Sequence, residues 1–174
     1  FGWWEYYLEN PIYTFPTNQS WAGSALTNTK GEILGIGSLF IRDATSPGIF
    51  SPGNMFVPVN LLKPILQDLK KYGHRKSDLK PYIGLSPIEN KGKIIVSRVS
   101  IDGPSDIAGI KKNDVIISMN GNLIKSLQNF YLYLWNIGKS EALIDIIVLR
   151  YGKKINFKVR SKDRMNYYIK NKTY

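Results

Sequence analysis

The sequence predicts a mainly β protein with short helices, organised as two modules. Short runs rich in Ile, Val and Leu recur between turn signals, which is the pattern of strands joined by tight connections. Residues 1–73 carry five basic and five acidic side chains, so the formal net charge of +11 arises wholly from residues 74–174. A polar stretch, residues 74–80, lies where the two compositions meet and reads as a linker.

The elements follow in order. Residues 1–15 are aromatic (Phe1, Trp3, Trp4, Tyr6, Tyr7, Tyr13, Phe15) and are broken by Pro11 and Pro16, so they read as a loop or a short edge strand. Ile33–Ile41 is a strand, followed by a loop over residues 42–53 with two prolines and two glycines. Asn54–Val59 is a second strand. Asn60 is placed to cap the next helix, in which Leu61, Leu62, Ile65, Leu66 and Leu69 fall at helical spacing, Pro64 sits in the opening turn and Gly73 closes the end. Beyond the linker, strands are predicted at Tyr82–Ile88, Lys93–Val99, Asp114–Met119, Ile144–Arg150 and Lys154–Val159, with turns at 90–92, 102–104, 120–122 and 151–152. A short helix is predicted near Ser105–Ala108 and a longer one at Leu127–Trp135, and residues 161–174 form a basic tail with Tyr167, Tyr168 and Ile169 as docking points.

Composition narrows the chemistry. With 43% hydrophobic residues in 174, the chain can bury a real core. The absence of cysteine excludes disulfides and thiolate metal sites. No apolar run approaches the ~18 residues of a membrane span. The chain begins at Phe1 rather than Met and reads as a fragment, so the lack of a signal peptide carries no information. No metal cluster, phosphate loop or dinucleotide fingerprint is present, and Gly35-Ile36-Gly37 is too short to count as one. The basic half could attract nucleic acid or anionic lipid, a class of binding that salt would weaken steeply. No nucleic-acid motif accompanies the charge, so it reads as a lysine-rich solvated surface.

Two sets of motifs carry the functional reading. The first is Ser20-Trp21-Ala22-Gly23-Ser24-Ala25-Leu26, then Gly31-Glu32-Ile33-Leu34-Gly35-Ile36, then Met55-Phe56-Val57-Pro58-Val59-Asn60-Leu61-Leu62. It resembles the nucleophile loop, the following strand and the closing strand and helix of the trypsin-like HtrA proteases. The second is Tyr82-Ile83-Gly84-Leu85, with residues 103–110 (Gly-Pro-Ser-Asp-Ile-Ala-Gly-Ile) and 114–121 (Asp-Val-Ile-Ile-Ser-Met-Asn-Gly), which resembles the PDZ domain of the bacterial HtrA type. Asn113 stands where that family usually has Gly, a mild departure because Asn tolerates the left-handed conformation.

The resemblance implies the C-terminal part of a trypsin-like β-barrel over 1–73, a linker over 74–80, a PDZ domain over 81–160 and the tail beyond. It also implies a departure at the reaction centre. Ala22 occupies the position of the nucleophilic serine, and a methyl group cannot attack a carbonyl. Ser20 replaces the glycine whose amide forms half of the oxyanion hole, and Trp21 replaces the usual Asn or Asp. Ser20 and Ser24 each lie two residues from the matched position, too far round a tight turn to substitute. His74, the sole histidine, follows the loop rather than preceding it and reads as a loop residue rather than the base.

For the second module the resemblance implies a carboxylate-binding loop at Tyr82, Ile83, Gly84 and Leu85. The opposite wall is a helix stripe of Leu127, Phe130, Tyr131 and Leu134, with Phe130 and Leu134 inside and Leu127 and Tyr131 nearer the groove; the same stripe also reads as plain core. Its partners are polypeptides held by their C-termini, with an apolar last side chain. Two functions follow: a pseudoprotease that binds peptides through the PDZ module, or an active serine endopeptidase of protein quality control whose serine was replaced at position 22. Ser20 and Trp21 favour the first, since silencing a nucleophile requires no change at either. The resemblance further implies trimers through the first module, the bacterial periplasm or cell envelope, and no cofactor or metal.

Overall fold

The computed structural model describes residues 8, 10–76, 79–164, 166 and 167. The chain forms two compact units, one over residues 8–76 and one over the described residues from 79 on. The aromatic run at Phe1, Trp3, Trp4, Tyr6 and Tyr7, and the docking points Tyr168 and Ile169, lie outside the described residues.

The first unit is a four-stranded antiparallel sheet of β1 (Ile12–Thr14), β2 (Ala25–Thr27), β3 (Ile33–Ile41) and β4 (Gly53–Pro58), in the order β1-β4-β3-β2. Strand β3 has the bounds its composition predicts, and β4 is displaced from its prediction by one residue at each end. Met55 and Phe56 on β4 are the buried large apolar side chains of this unit among the described residues. The connection between β3 and β4 closes on itself: the Ser51 N–H donates to the Arg42 carbonyl and the Ala44 N–H to the Ser51 carbonyl.

Asn60 does not cap a helix as the sequence suggests. The chain leaves β4 through two 3-10 turns, Val59–Leu61 and Lys63–Ile65, and the first has Pro58 at its N-cap with no side-chain cap bond. Helix α1 (Leu66–Tyr72) starts only after them. Pro64 explains the delay: it lacks the amide that a continuous α-helix through this position would use, and it sits at the start of the second turn. Gly73 closes α1 in the left-handed conformation as expected, its N–H donating to the Leu69 carbonyl.

The second unit is a six-stranded antiparallel sheet of β5 (Leu85–Asn90), β6 (Lys93–Val99), β7 (Val115–Met119), β8 (Asn122–Leu123), β9 (Leu143–Arg150) and β10 (Lys153–Arg160). The order is β10-β9-β7-β6-β5, with β8 paired to β7. Helices α2 (Pro104–Ala108) and α3 (Leu127–Trp135) interrupt it. Ile144, Ile146 and Val148 alternate inward along β9 and meet Ile94, Val96 and Ile116 from the neighbouring strands. Helix α3 adds Leu127, Phe130, Tyr131 and Leu134, spaced i, i+3, i+4, i+7, so its whole apolar stripe faces this core. Each such side chain contributes about 1.5–3 kcal/mol by leaving water. Ser126 caps α3, its side chain accepting from the Asn129 N–H at 3.0 Å.

The segment after β10 docks, and Tyr167 does so as the sequence suggests. Tyr82 and Lys162 exchange both backbone hydrogen bonds at 3.0 Å, and the Tyr167 hydroxyl donates to the Ile101 carbonyl at 2.7 Å. The Tyr167 ring lies 5.0 Å from that of Tyr82. The chain after β10 therefore packs against the segment that opens the second unit.

Candidate functional site

Two places carry chemistry, one in each unit. In the first, the loop between β1 and β2 is held against β3 by a reciprocal pair of backbone bonds: the Gly23 N–H donates to the Gly37 carbonyl at 2.9 Å, and the Gly37 N–H to the Ser24 carbonyl at 2.8 Å. A Cβ on Gly37 would lie 1.7 Å from the Trp21 carbonyl oxygen, so only glycine admits this approach. The Ser24 hydroxyl donates to the Trp21 carbonyl at 2.8 Å and so closes the turn around Ala22. Ala22 is exposed at the turn and bears only a methyl group.

Ser20 lies outside the positive-φ region, so its backbone is unstrained. Its N–H donates instead to the Asn18 side-chain carbonyl at 3.0 Å. Asn18 is in turn fixed by Asn54, which is fully buried on β4 and accepts the Asn18 N–H at 2.6 Å. The amide that an oxyanion hole would use at this position is already committed within the loop. His74 is half-buried past the end of α1, its Nδ1 2.9 Å from the Tyr72 carbonyl oxygen, a local contact that asks nothing of the loop at 20–26.

In the second unit, Tyr82, Ile83, Gly84 and Leu85 lead from the Lys162 pairing into β5. Gly84 has φ +70, where a side chain is disfavoured, and an added Cβ would meet Ser100 Cβ at 3.3 Å. The Ile83 and Gly84 carbonyls are occupied: Ile83 accepts from the Ser105 N–H and Gly84 from the Ser100 N–H, each at 2.9 Å. With these acceptors drawn into the fold, the Ile83 and Gly84 N–H groups bond no backbone carbonyl among the described residues. Such a run of amides around a left-handed residue is a concavity suited to an anion.

Beside this loop lies a cavity of about 210 Å³ between the start of β5 and the end of α3. Tyr82, Ile83, Leu85, Tyr131, Leu134 and Trp135 line it, and Lys80 and Arg164 bring two cationic side chains to it. The Arg164 guanidinium also sits 5.9 Å from the centre of the Tyr82 ring. All four residues of the helix stripe are buried, Leu127 and Tyr131 at 3% and 4% exposure as deeply as Leu134 at 4%. The expected division of the stripe is therefore not what the helix adopts: Tyr131 and Leu134 reach the cavity, while Leu127 and Phe130 lie outside its lining. Trp135 and Arg164 were not named from the sequence: Trp135 continues the stripe one turn beyond Tyr131, a signal that was present, whereas Arg164 reaches the loop only through the Tyr82–Lys162 pairing.

The PDZ domain family matches residues 81–160, the stretch that holds this loop, the sheet and both helices. Residues 81–160 are a PDZ domain. Over 159 residues the chain is 28% identical to the serine protease Do-like HtrA of Bacillus subtilis, covering 80% of this chain and 34% of the relative. It is 27% identical to a probable periplasmic DegP-like serine endoprotease of Buchnera aphidicola, covering 80% of this chain and 31% of the relative. Among solved structures it resembles a serine endoprotease from Yersinia pestis, with TM-score 0.51 and 27% identity over 80% of this chain and 46% of the other. The chain is thus homologous to the HtrA-type serine proteases. It spans about a third of the length of the two sequence relatives.

Proposed function

We propose that this protein binds the free C-termini of polypeptides in the groove between β5 and α3, and that its protease-type loop carries no nucleophile. The observation that supports the binding reading best is the Gly84 turn: a left-handed residue with its own carbonyls tied back, opening directly into a sheet edge. A terminal carboxylate placed there accepts from the loop amides, and its backbone continues as a strand along β5. Its last side chain enters the cavity at Tyr131 and Leu134, where burying an aliphatic group contributes about 1.5–3 kcal/mol. Lys80 and Arg164 add positive charge of the right sign for the carboxylate.

The catalytic reading rests on Ala22 and Ser20. If Ala22 holds the nucleophile position, the protein cannot form an acyl-enzyme, and the Ser20 amide is turned to Asn18 rather than to a developing oxyanion. Turnover of unfolded casein by the native protein contradicts this half of the proposal. The periplasm, named for the Buchnera relative, is the compartment proposed here, and release by osmotic shock from the native cells tests it.

Gly84→Val tests the carboxylate loop. Valine is a poor occupant of φ +70, and its Cβ meets Ser100, so the loop amides rotate away from the groove. Affinity for peptides with a free C-terminus is expected to fall about tenfold or more, the equivalent of losing one charge-assisted hydrogen bond. Thermal melting of the variant separates this from unfolding. Unchanged affinity in a folded variant would place the ligand elsewhere.

A further inference from the structure

The open edge of β5 is not uniform, and its irregularity bears on how much of a ligand this domain reads. In an antiparallel strand the N–H and C=O of one residue point to the same side, and successive residues alternate. The Gly84 carbonyl accepts from the Ser100 N–H, and the Ser86 carbonyl accepts from the Ser97 hydroxyl, so both face β6. At the other end the β5–β6 hairpin turns on Lys91 and Gly92, with φ 49 and 71, and is closed by the pair Asn90 and Lys93. In a two-residue hairpin of this kind the closing pair exchanges hydrogen bonds. Even-numbered residues therefore face β6 at both ends of the strand, and Leu85, Pro87 and Glu89 present their backbones to the free side. Strand β5 ends the sheet order, so that side has no partner strand among the described residues.

Residue 87 is a proline and has no N–H to present. The fold loses nothing by this, because the missing donor is on the side where no ladder exists. A strand added from solvent meets it directly: Leu85 offers a donor and an acceptor, Pro87 an acceptor only. Two residues further on, the Glu89 carboxylate accepts the Leu127 N–H at 3.0 Å and so spans from β5 to the start of α3. The space between strand and helix is open at the cavity beside Leu85 and crossed by a side chain at Glu89.

We propose that Pro87 and Glu89 truncate the ligand site, so that this domain recognises only the carboxylate and the last two residues of a polypeptide. This rests on the carboxylate reading of the Gly84 loop. The last residue of the ligand pairs with the Leu85 backbone, and its side chain fills the cavity. The third residue from the end brings its carbonyl to Pro87 and finds no donor there, so of the two bonds such a pair exchanges only the one to the Pro87 carbonyl remains, too little to hold the chain along β5. Chain upstream of that point leaves the groove instead of extending the sheet. The ligand class is then any exposed C-terminus with an apolar last residue, with little regard to the preceding sequence, as suits recognition of many unfolded or cleaved chains.

The experiment is a length series: peptides of two to six residues, all alanine except a C-terminal leucine with a free carboxylate, titrated calorimetrically into the native protein and into Pro87→Ala. The native protein is expected to bind all lengths from two residues up within about threefold of one another. Pro87→Ala, which restores the donor, is expected to bind the six-residue peptide about fivefold more tightly than the native protein does, with the two-residue peptide unchanged, as one net hydrogen bond provides. If the native affinity rises about tenfold or more between two and six residues, and rises equally in Pro87→Ala, the truncation is overturned while the carboxylate reading stands. If amidated peptides bind as well as free acids, or no length binds, the carboxylate reading fails and this inference with it.

Discussion

Asp114→Ala is expected to destabilise the PDZ domain by about 3–5 kcal/mol, the usual cost of stranding one member of a buried ion pair. The Asp114 side chain is 1% exposed and lies at the entrance to β7. Its Oδ1 accepts from Arg150 Nε and its Oδ2 from Arg150 Nη2, both at 2.7 Å, the bidentate geometry in which arginine pairs best. Oδ2 also accepts the Lys111 N–H at 2.8 Å. Arg150 on β9 spends a further bond on the Gly109 carbonyl at 2.8 Å and lies 5.3 Å from the centre of the Phe157 ring. One carboxylate thus ties the turn after α2, the start of β7 and the end of β9. The hydrogen bonds that Arg150 donates to Asp114 hold its guanidinium above its ordinary pKa. Alanine leaves that guanidinium and the Lys111 N–H without the carboxylate that accepts from both. The double variant Asp114→Leu with Arg150→Met removes both charges together and is expected to cost far less than the single change. Urea unfolding of both variants checks this; a loss below about 1 kcal/mol for Asp114→Ala contradicts the account of how the turn is held.

Gly37→Ala is expected to cost the first unit about 3 kcal/mol or more. The added methyl group would stand 1.7 Å from the Trp21 carbonyl oxygen and 2.8 Å from its carbonyl carbon. These are backbone atoms, so no rotamer change relieves the contact. Either β3 or the loop at 20–26 must move, and movement breaks the two bonds that Gly37 exchanges with Gly23 and Ser24. Met55 and Phe56 supply little buried area with which to absorb the loss. Amide hydrogen exchange is the suitable measurement: Gly23 and Gly37, both hydrogen-bonded, are expected to be protected in the native protein and to exchange rapidly in the variant, while amides of β7 and β9 stay protected. Full protection at Gly23 in the variant would mean that the loop does not dock on β3 as described.

How much of this was legible in the residues depends on how local the determining physics is. Strands Ile33–Ile41 and Lys93–Val99 and helix Leu127–Trp135 have the bounds expected, because each carries its own periodicity over enough residues to be read. Ala25–Thr27 and Asn122–Leu123 were missed, since strands of two or three residues are defined by their partners' register rather than by a pattern of their own. The Asn60 cap failed because Pro64 delays the helix. Asn113 adopts φ 73, as its place in the glycine position of the motif suggested. Tyr167 was legible as a docking point, but the pairing of Lys162 with Tyr82, eighty residues earlier, was not, because it depends on partners far apart in the chain. Pro87 was in plain view, but its meaning required knowing which way its backbone faces, and that follows from bonds made by Gly84, Ser86 and Asn90.

The measurement that tests the central claim most directly is a calorimetric comparison of one leucine-ending peptide as the free acid and as the C-terminal amide. The amide keeps every side chain and removes only the charge that the Gly84 loop is argued to hold. The free acid is expected to bind about tenfold or more tightly, the difference that charged hydrogen bonds to backbone amides provide. Equal affinities for acid and amide would contradict the claim.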